Sequence, residues 1–396
     1  MIDKVSFTEL NKKADRKYVL FGSGNIANKT LRKVGFDSVD FIVDNSENLQ
    51  GQEYAGLSIK TPAEIKPNHF VLICSTAINS ISQQLTSLGF TANSDYTISP
   101  ILNDLLAISE LENLKTTFHF CSGTMPIPGE KYGGGLYKCE VDGLDHKLTK
   151  LYEGPTYGAI KRDGNIYFVD TDKGILRLDD SGNIDLVCEL AKGSRAHGIS
   201  YNETTKCYYV TCSYLDAILE ISEDWEIKRT FKLSNKIDQG GEPMHHCNDN
   251  LAVGNSLYVS MFSSTGNWKN DSFDGCIAEF DIVTGERRPD VCTGLYMPHN
   301  VEMFDGSLHI LDSLPGHLRF INFSVQGTFP AFTRGLDYNK GLYYIGQSKN
   351  RNYSRVQGIS NNIAIDCGVV VFNPEIKASR FFQFPYTIGE IHTIVV

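Results

Sequence analysis

The sequence predicts a multidomain chain, a small α/β domain followed by an all-β six-bladed propeller, and three observations carry that reading. A glycine-rich loop joins an apolar strand to a helical stretch near the N-terminus. A hairpin unit with a polar head recurs beyond residue 150, and a lone apolar strand stands near residue 390. The expected division is 1–105 for the α/β domain, 106–116 for a linker and 117–396 for the propeller, closed by a strand within 387–396.

In the first domain, Lys17-Tyr-Val-Leu-Phe reads as a strand and leads into Gly22-Ser-Gly24-Asn25-Ile26-Ala27, with a helix to about Val34. Glycines permit the tight turn, and the helix N-terminus offers free amides to a phosphate. A second strand, Val39 to Val43, ends in Asp44, placed to accept a hydrogen bond from a ribose hydroxyl. Further alternation follows: a helix start at Pro62-Ala-Glu, the strand Phe70 to Cys74, a helix from Ala77 to Leu88 and a short strand from Tyr96. Gly22, Gly24, Asn25, Ile26 and Asp44 are the expected nucleotide-binding residues. The competing reading is that the glycines only allow a close turn. NAD is disfavoured as cofactor, because the second half that would hold a nicotinamide is missing.

The segment 17–100 resembles the small Rossmann-like domains that precede bacterial sugar acyltransferases and other surface-polysaccharide enzymes. The shared marks are the glycine-rich loop, Val43-Asp44-Asn45, and Gly56-Leu-Ser-Ile followed by Pro62-Ala-Glu. The resemblance implies a nucleotide-sugar rather than a dinucleotide.

The propeller is read from its repeat. Segments beginning at Tyr157, His197, Asn248, His299 and Arg334 each start a short strand, pass a Gly/Asn/Asp turn and enter a second apolar strand. Outer strands such as Gly174-Ile-Leu-Arg-Leu and Gly368-Val-Val-Val-Phe follow, which gives four strands per unit of roughly 40 residues. The strand after Glu390 completes the first blade. Five or seven blades are the alternatives, since the loops 261–275 and 347–366 are long.

Composition narrows the function. A formal charge of −10 and the lack of a Lys/Arg run argue against a nucleic-acid partner. No window is long or apolar enough for membrane insertion, and the polar start lacks a signal-peptide core, so a soluble, cytoplasmic protein is expected. The ten cysteines show no paired spacing and read as reduced, mostly buried thiols. A small-molecule sugar or nucleotide-sugar is the expected partner, and a homo-oligomer is compatible with the sequence.

Innermost strands of a propeller begin beside the central channel, so the heads Tyr157, His197, Asn248, His299, Arg334 and Glu390 are expected to converge. His197, His246, His299 and His392 fall at or within two residues of that level. Imidazoles on a rigid frame suit a divalent transition metal, zinc, manganese, iron or nickel. The alternative is hydrogen-bonded rim histidines. Arg334 suits a carboxylate or phosphate, or else a buried bridge to Glu390 or Asp249. His245 and Glu390 are candidate proton carriers, and His245 also reads as an outward-facing neighbour of His246. Tyr157, Asn248, Asn300, Lys349 and Arg351 are candidate substrate contacts, with Tyr353 and Arg355 in the same basic stretch. Asp312 and Glu302 are candidates to orient histidine nitrogens, and Trp268 to stack on a sugar.

Residues 117–396 resemble the family catalogued as domain of unknown function 4915, on His245-His246-Cys247-Asn248-Asp249, Met297-Pro298-His299, Phe332-Thr333-Arg334-Gly335-Leu336 and Glu390-Ile391. The resemblance implies a propeller and no activity. The chemistry expected from the residues is a metal-dependent lyase, epimerase or hydrolase acting on an acidic or nucleotide-linked sugar in surface-glycan biosynthesis. The rival reading is a non-catalytic glycan- or nucleotide-sugar-binding propeller.

Overall fold

The computed structural model describes residues 2–12, 16–125, 128–330, 332–351, 358–360 and 362–396. The chain divides into two units, Met1–Glu112 and Asn113–Val396.

The first unit is built on a central strand, Lys17–Phe21. Val39–Val43 and His69–Ile73 flank it in parallel, Leu57–Lys60 and Tyr96–Ile98 extend the two sides in parallel, and Glu53–Tyr54 adds an antiparallel edge. The strands are near-continuous apolar runs because both faces of the sheet are covered. Leu20, Ile42 and Leu72 pack with Ala27 and Leu31 on one face, and Val19, Phe41 and Val71 pack with Ile81 and Leu85 on the other. The stretch 106–116, expected as a linker, is instead the second half of a helix, Pro100–Glu112, and the start of a strand, Lys115–Ser122. Proline opens that helix, where its missing N–H costs nothing, and Leu102, Ala107 and Leu111 bury one side of it.

The second unit is a six-bladed propeller. Five antiparallel four-stranded sheets run consecutively over 156–189, 196–232, 247–295, 299–328 and 333–383. The sixth sheet is composite, its innermost strand Thr393–Val395 pairing with Lys115–Ser122 through Thr393↔Cys121, Ile394↔Phe120 and Val395↔His119. This closes the ring and leaves no open inner edge. The closing strand is shorter than the expected 387–396. The preceding residues turn toward the axis, and only the His392 amide joins the ladder, donating to the Cys121 carbonyl. The ten cysteines are free and buried. Among the described residues no helix is long and apolar enough to cross a membrane.

One irregularity recurs. In each of the five consecutive blades the innermost strand carries one extra residue near its start, between Thr156 and Ala159, Ala196 and Ile199, Cys247 and Asp249, His299 and Val301, and Thr333 and Leu336. A bulge re-aims a side chain and tightens the local twist. Here it turns Tyr157, His197, Asn248, His299 and Arg334 to the mouth of the axis. The residue after each head then faces the neighbouring inner strand at close range. A Cβ on Gly198 would lie 2.1 Å from Asp249 Oδ1 and 2.6 Å from Asp249 Cα, so only glycine fits.

Candidate functional site at the propeller axis

The heads form an upper tier around the channel. Tyr157, His197, Asn248, His299 and His392, each with its following residue, line the narrow channel mouth. The sixth head is therefore His392 and not Glu390. Glu390 belongs to a second tier, two residues earlier in each blade: Pro155, Arg195, His246, Met297, Phe332 and Glu390. The second tier lies just before the strands and borders the wider spaces next to the mouth. Arg195, His246 and Met297 hold positive φ of 48°, 49° and 53° at this shared position. Non-glycine residues rarely adopt that conformation, and its recurrence in three blades marks strain kept at one level of the fold.

The tiers interlock. The Tyr157 ring lies 4.2 Å from both His197 and His392, centroid to centroid. Arg334, 3% exposed, donates to Glu390 Oε2 at 3.0 Å and sits 3.1 Å from His392 Nε2 over the Phe332 ring. Glu390 Oε2 is also 2.8 Å from His392 Nε2, and its other oxygen meets the Arg351 guanidinium at 2.7 Å. His299 is wedged between Phe262 and Phe332, its Nδ1 2.9 Å from Ser313 Oγ. Asn248 donates to the Pro298 carbonyl. Of the ten buried side-chain atoms that meet no hydrogen-bond partner among the described residues, His197 Nε2, Asn248 Oδ1 and Arg334 Nε belong to residues lining the mouth or the chamber beside it.

Charge follows from this packing. Burial, and then the surrounding arginines and imidazoles, hold His197 and His299 far below the usual histidine range. His246 is lowered to about 3 by burial and then Arg195. His392 is lowered to about 4 by burial and then Arg334, against the opposing pull of Glu390. Burial pushes the Glu390 carboxyl up, but Arg334, the His392 hydrogen bond and Arg351 outweigh it and keep the acid ionised. At neutral pH the cleft thus offers neutral imidazoles beside a fixed guanidinium.

The family described as Domain of unknown function (DUF4915) matches residues 190–396, which contain every head except Tyr157. The chain belongs to the DUF4915 family. Among solved structures, the nidogen/laminin complex matches with 13% identity over 70% of this chain and 97% of its own, at a TM-score of 0.51. That likeness shows the fold alone. A protein of unknown function from Bacteroides caccae (13%, 70% and 97%, TM-score 0.46) and virginiamycin B lyase from Staphylococcus aureus (12%, 71% and 99%, TM-score 0.42) are also similar. No curated protein matches.

Other expected residues of the DUF4915 region fall elsewhere. His245 points away from the cleft, its Nδ1 donating to the Ser263 carbonyl and its amide to Asp216. Asn300 lines the mouth, but its side chain donates to Asp249 Oδ2 at 2.6 Å and accepts from the Gly335 amide, so it ties blades together. Asp312 binds the Tyr296 amide and Arg319 and orients no imidazole. Glu302 shares the deep channel with Asp249 and Asp337, where burial raises all three carboxyls, Asp249 to about 7. His309 pairs with Tyr343 and His317 with Arg319, outside the site. Tyr353 and Arg355 lie outside the described residues.

The four histidines expected as metal ligands, His197, His246, His299 and His392, all line one chamber of the cleft. His392 Nε2 is engaged by Glu390 and Arg334, and the Arg334 cation stands among the imidazoles. Among the described residues no three His, Cys, Asp or Glu side chains are grouped to hold an ion.

The cleft has an inner chamber of about 190 Å³ around His197, His299, Arg334 and His392, and two outer limbs. One limb, about 610 Å³, is walled by Tyr157, Lys349, Arg351 and Glu390. The other, about 530 Å³, is walled by Trp268, Ile237, Pro243 and His246. Arg195 and Tyr214, which the sequence reading missed, border both limbs. Arg195 was detectable, since it precedes His197 by the same two residues as His246 precedes Asn248.

In the first unit the loop closes on itself. Ser23 donates from its amide and hydroxyl to Asp44 Oδ2 at 3.0 and 2.8 Å. Gly22 has φ of 107° and abuts Cys74 and Ser75, whereas a Cβ on Gly24 would meet nothing within 4 Å. Asn25 and Ile26 open the helix Asn25–Val34.

Proposed function

We propose that the propeller is an enzyme of acidic-sugar chemistry, whose axial cleft seats a carboxylate- or phosphate-bearing sugar on Arg334 and Arg351 and moves a proton through a neutral imidazole. The observation that carries this reading is the group of unpartnered buried atoms, His197 Nε2, Asn248 Oδ1 and Arg334 Nε, on residues that line the channel mouth or the inner chamber sharing its walls. Buried polar atoms are nearly always hydrogen-bonded, so three orphans around these two adjoining spaces suit an absent polar ligand.

The chemistry follows from charge. For elimination or epimerisation, the C–H bond beside the carboxyl breaks, its electron pair moves onto the carboxyl and the proton passes to an imidazole nitrogen; the pair then returns either to expel the oxygen substituent on the next carbon, which leaves protonated, or to take a proton on the opposite face. Arg334 stabilises the added negative charge in a site of low dielectric. His392 is the base best matched, because an anion on Arg334 offsets the field that helps depress this imidazole, so substrate binding raises its basicity. Ester or lactone hydrolysis would use the same base on a water.

The first unit, in this reading, is a Rossmann-like module that recruits a nucleotide-sugar. Its strand order reverses beside Lys17–Phe21, and Gly22 and Gly24 stand at the end of that strand. Gly24→Val should leave the fold intact, since the added atoms meet open space, and weaken UDP-sugar binding at least about tenfold by blocking close approach. Equilibrium dialysis with UDP-glucuronate checks this, and unchanged affinity would remove the module from the proposal.

The deciding experiment incubates the whole protein in deuterated water with uronic acids, aldonolactones and their nucleotide-linked forms, followed by NMR. Deuterium at the carbon beside the carboxyl, an unsaturated product or an opened lactone is expected. For the free enzyme, kcat/KM should fall as pH drops through about 4, where His392 takes up a proton. A non-catalytic glycan-binding propeller is the second reading, favoured by how weakly basic the imidazoles are. Binding without any exchange or product would establish it. Stoichiometric zinc, manganese, iron or nickel that is lost in a folded His197→Ala/His299→Ala variant would overturn the metal-free chemistry.

A further inference from the structure

The two outer limbs differ in character although they meet at one waist. In the limb beside Glu390, Lys349 and Arg351 bring cationic charge to the wall, where Arg351 pairs with Glu390 at 2.7 Å and Asp172 also stands. In the other, Lys269 is neutralised by Glu242 at 3.1 Å, and Trp268, Tyr214, Ile237 and Pro243 supply aromatic and aliphatic surface beside Arg195, Ser213 and the neutral His246. Each limb alone has the volume of an ordinary small-molecule pocket. A single acidic monosaccharide on Arg334 would leave the aromatic limb unfilled.

At the waist, Arg195 lines both limbs and the inner chamber. Its Nη1 donates to the Tyr214 hydroxyl at 2.9 Å and its guanidinium lies 4.9 Å from the Tyr214 ring centre. The left-handed backbone at Arg195 is the strained conformation it shares with His246 and Met297, the same level of two other blades. A planar guanidinium fixed in this way can donate to oxygens on either side of it.

We infer that the ligand is bipartite, an acidic sugar unit under Arg334 and Arg351 joined to an uncharged ring that lies between Trp268 and Tyr214, with Arg195 holding the linkage at the waist. The inference rests on the acidic-sugar reading above and adds the class of the second unit. The apolar face of a ring lies flat on an aromatic side chain, and once the acidic unit is seated the second ring binds without a separate loss of translational freedom.

Three probes test it by isothermal titration calorimetry of the whole protein: glucuronic acid, para-nitrophenyl β-glucuronide and para-nitrophenyl β-glucoside. The glucuronide is expected to bind about tenfold more tightly than either of the others. Trp268→Ala should erase that gain while leaving glucuronic acid unchanged. Equal affinity of the two acids for the native protein would overturn the bipartite ligand, as would a variant that weakens both acids alike. If neither acid binds, the acidic-sugar reading itself fails and takes this inference with it, an outcome distinct from two acids that bind equally.

Discussion

Arg334→Met is expected to lower stability by about 3–5 kcal/mol and to abolish binding of acidic sugars, because it removes one partner from a buried pair. Of its cationic partners Glu390 would keep only Arg351, whose side chain is 58% exposed, while the Glu390 side chain, 6% exposed, stays beside His392. The second effect is a titration. Arg334 is the next cause after burial for the low value of His392, and Glu390 pulls the other way. Without Arg334, His392 should therefore climb from about 4 toward the ordinary histidine value near 6.5. The sign for stability is fixed by proton uptake. In the native protein, where this imidazole is depressed, its contribution is complete above about pH 6.5 and is lost as pH falls toward 4. In the variant that loss should shrink. Urea unfolding at several pH values, with NMR titration of the imidazole, checks both parts. Arg334→Lys should recover most of the stability and little of the binding, since an ammonium lacks the planar fork. A Met variant within about 1 kcal/mol of the native protein would contradict the described pairing.

Gly198→Ala is expected to cost about 3 kcal/mol or more, at the upper end of overpacking effects. The added methyl would fall 2.1 Å from Asp249 Oδ1 and 2.6 Å from Asp249 Cα, so a carboxylate swing is insufficient and the third blade's inner strand must move. That strand carries Asn248, and Asp249 accepts from Asn300 of the fourth blade, so the disturbance passes around the mouth of the channel. Gly24→Ala is the control, with nothing within 4 Å of its added atom. Thermal melting should separate the two substitutions clearly. Equal melting temperatures would mean that the inner strands are not packed as described.

The propeller was legible because its repeat is chemical as well as periodic. Each blade opens with a polar residue and then an apolar strand, and the bulge that turns those residues inward sits at the same step each time. The parallel order of the first sheet followed from runs of buried Val, Ile, Leu and Phe around a glycine turn. What failed was register where the pattern is interrupted. Glu390 passed for a head because it is polar and precedes a strand, whereas His392 occupies that place. The linker at 106–116 was misassigned because Pro100 opens a helix that continues through it. The histidines were rightly gathered, but Arg334 is as long as it is charged, and sequence spacing does not tell where such a side chain ends. Tyr214 carries no signal at all, since it lies in the turn after the second strand of its blade, outside the repeat's polar heads, and borders both limbs beside Arg195.

The composite sixth blade has a consequence for biosynthesis. Glu390 and His392 follow every other residue of the cleft in chain order, and their strand docks on residues translated some 270 positions earlier, Thr393 on Cys121. A nascent propeller that has already emitted Arg334 holds a guanidinium with no carboxylate to meet it. The charge pair and the seam of the ring therefore form in a single late step, across one of the longest loops the unit contains, and such distant pairing is slow. Premature release from the ribosome before Glu390 would give a chain with neither a sealed circumference nor a neutralised interior, which is a ready mark for proteolytic disposal.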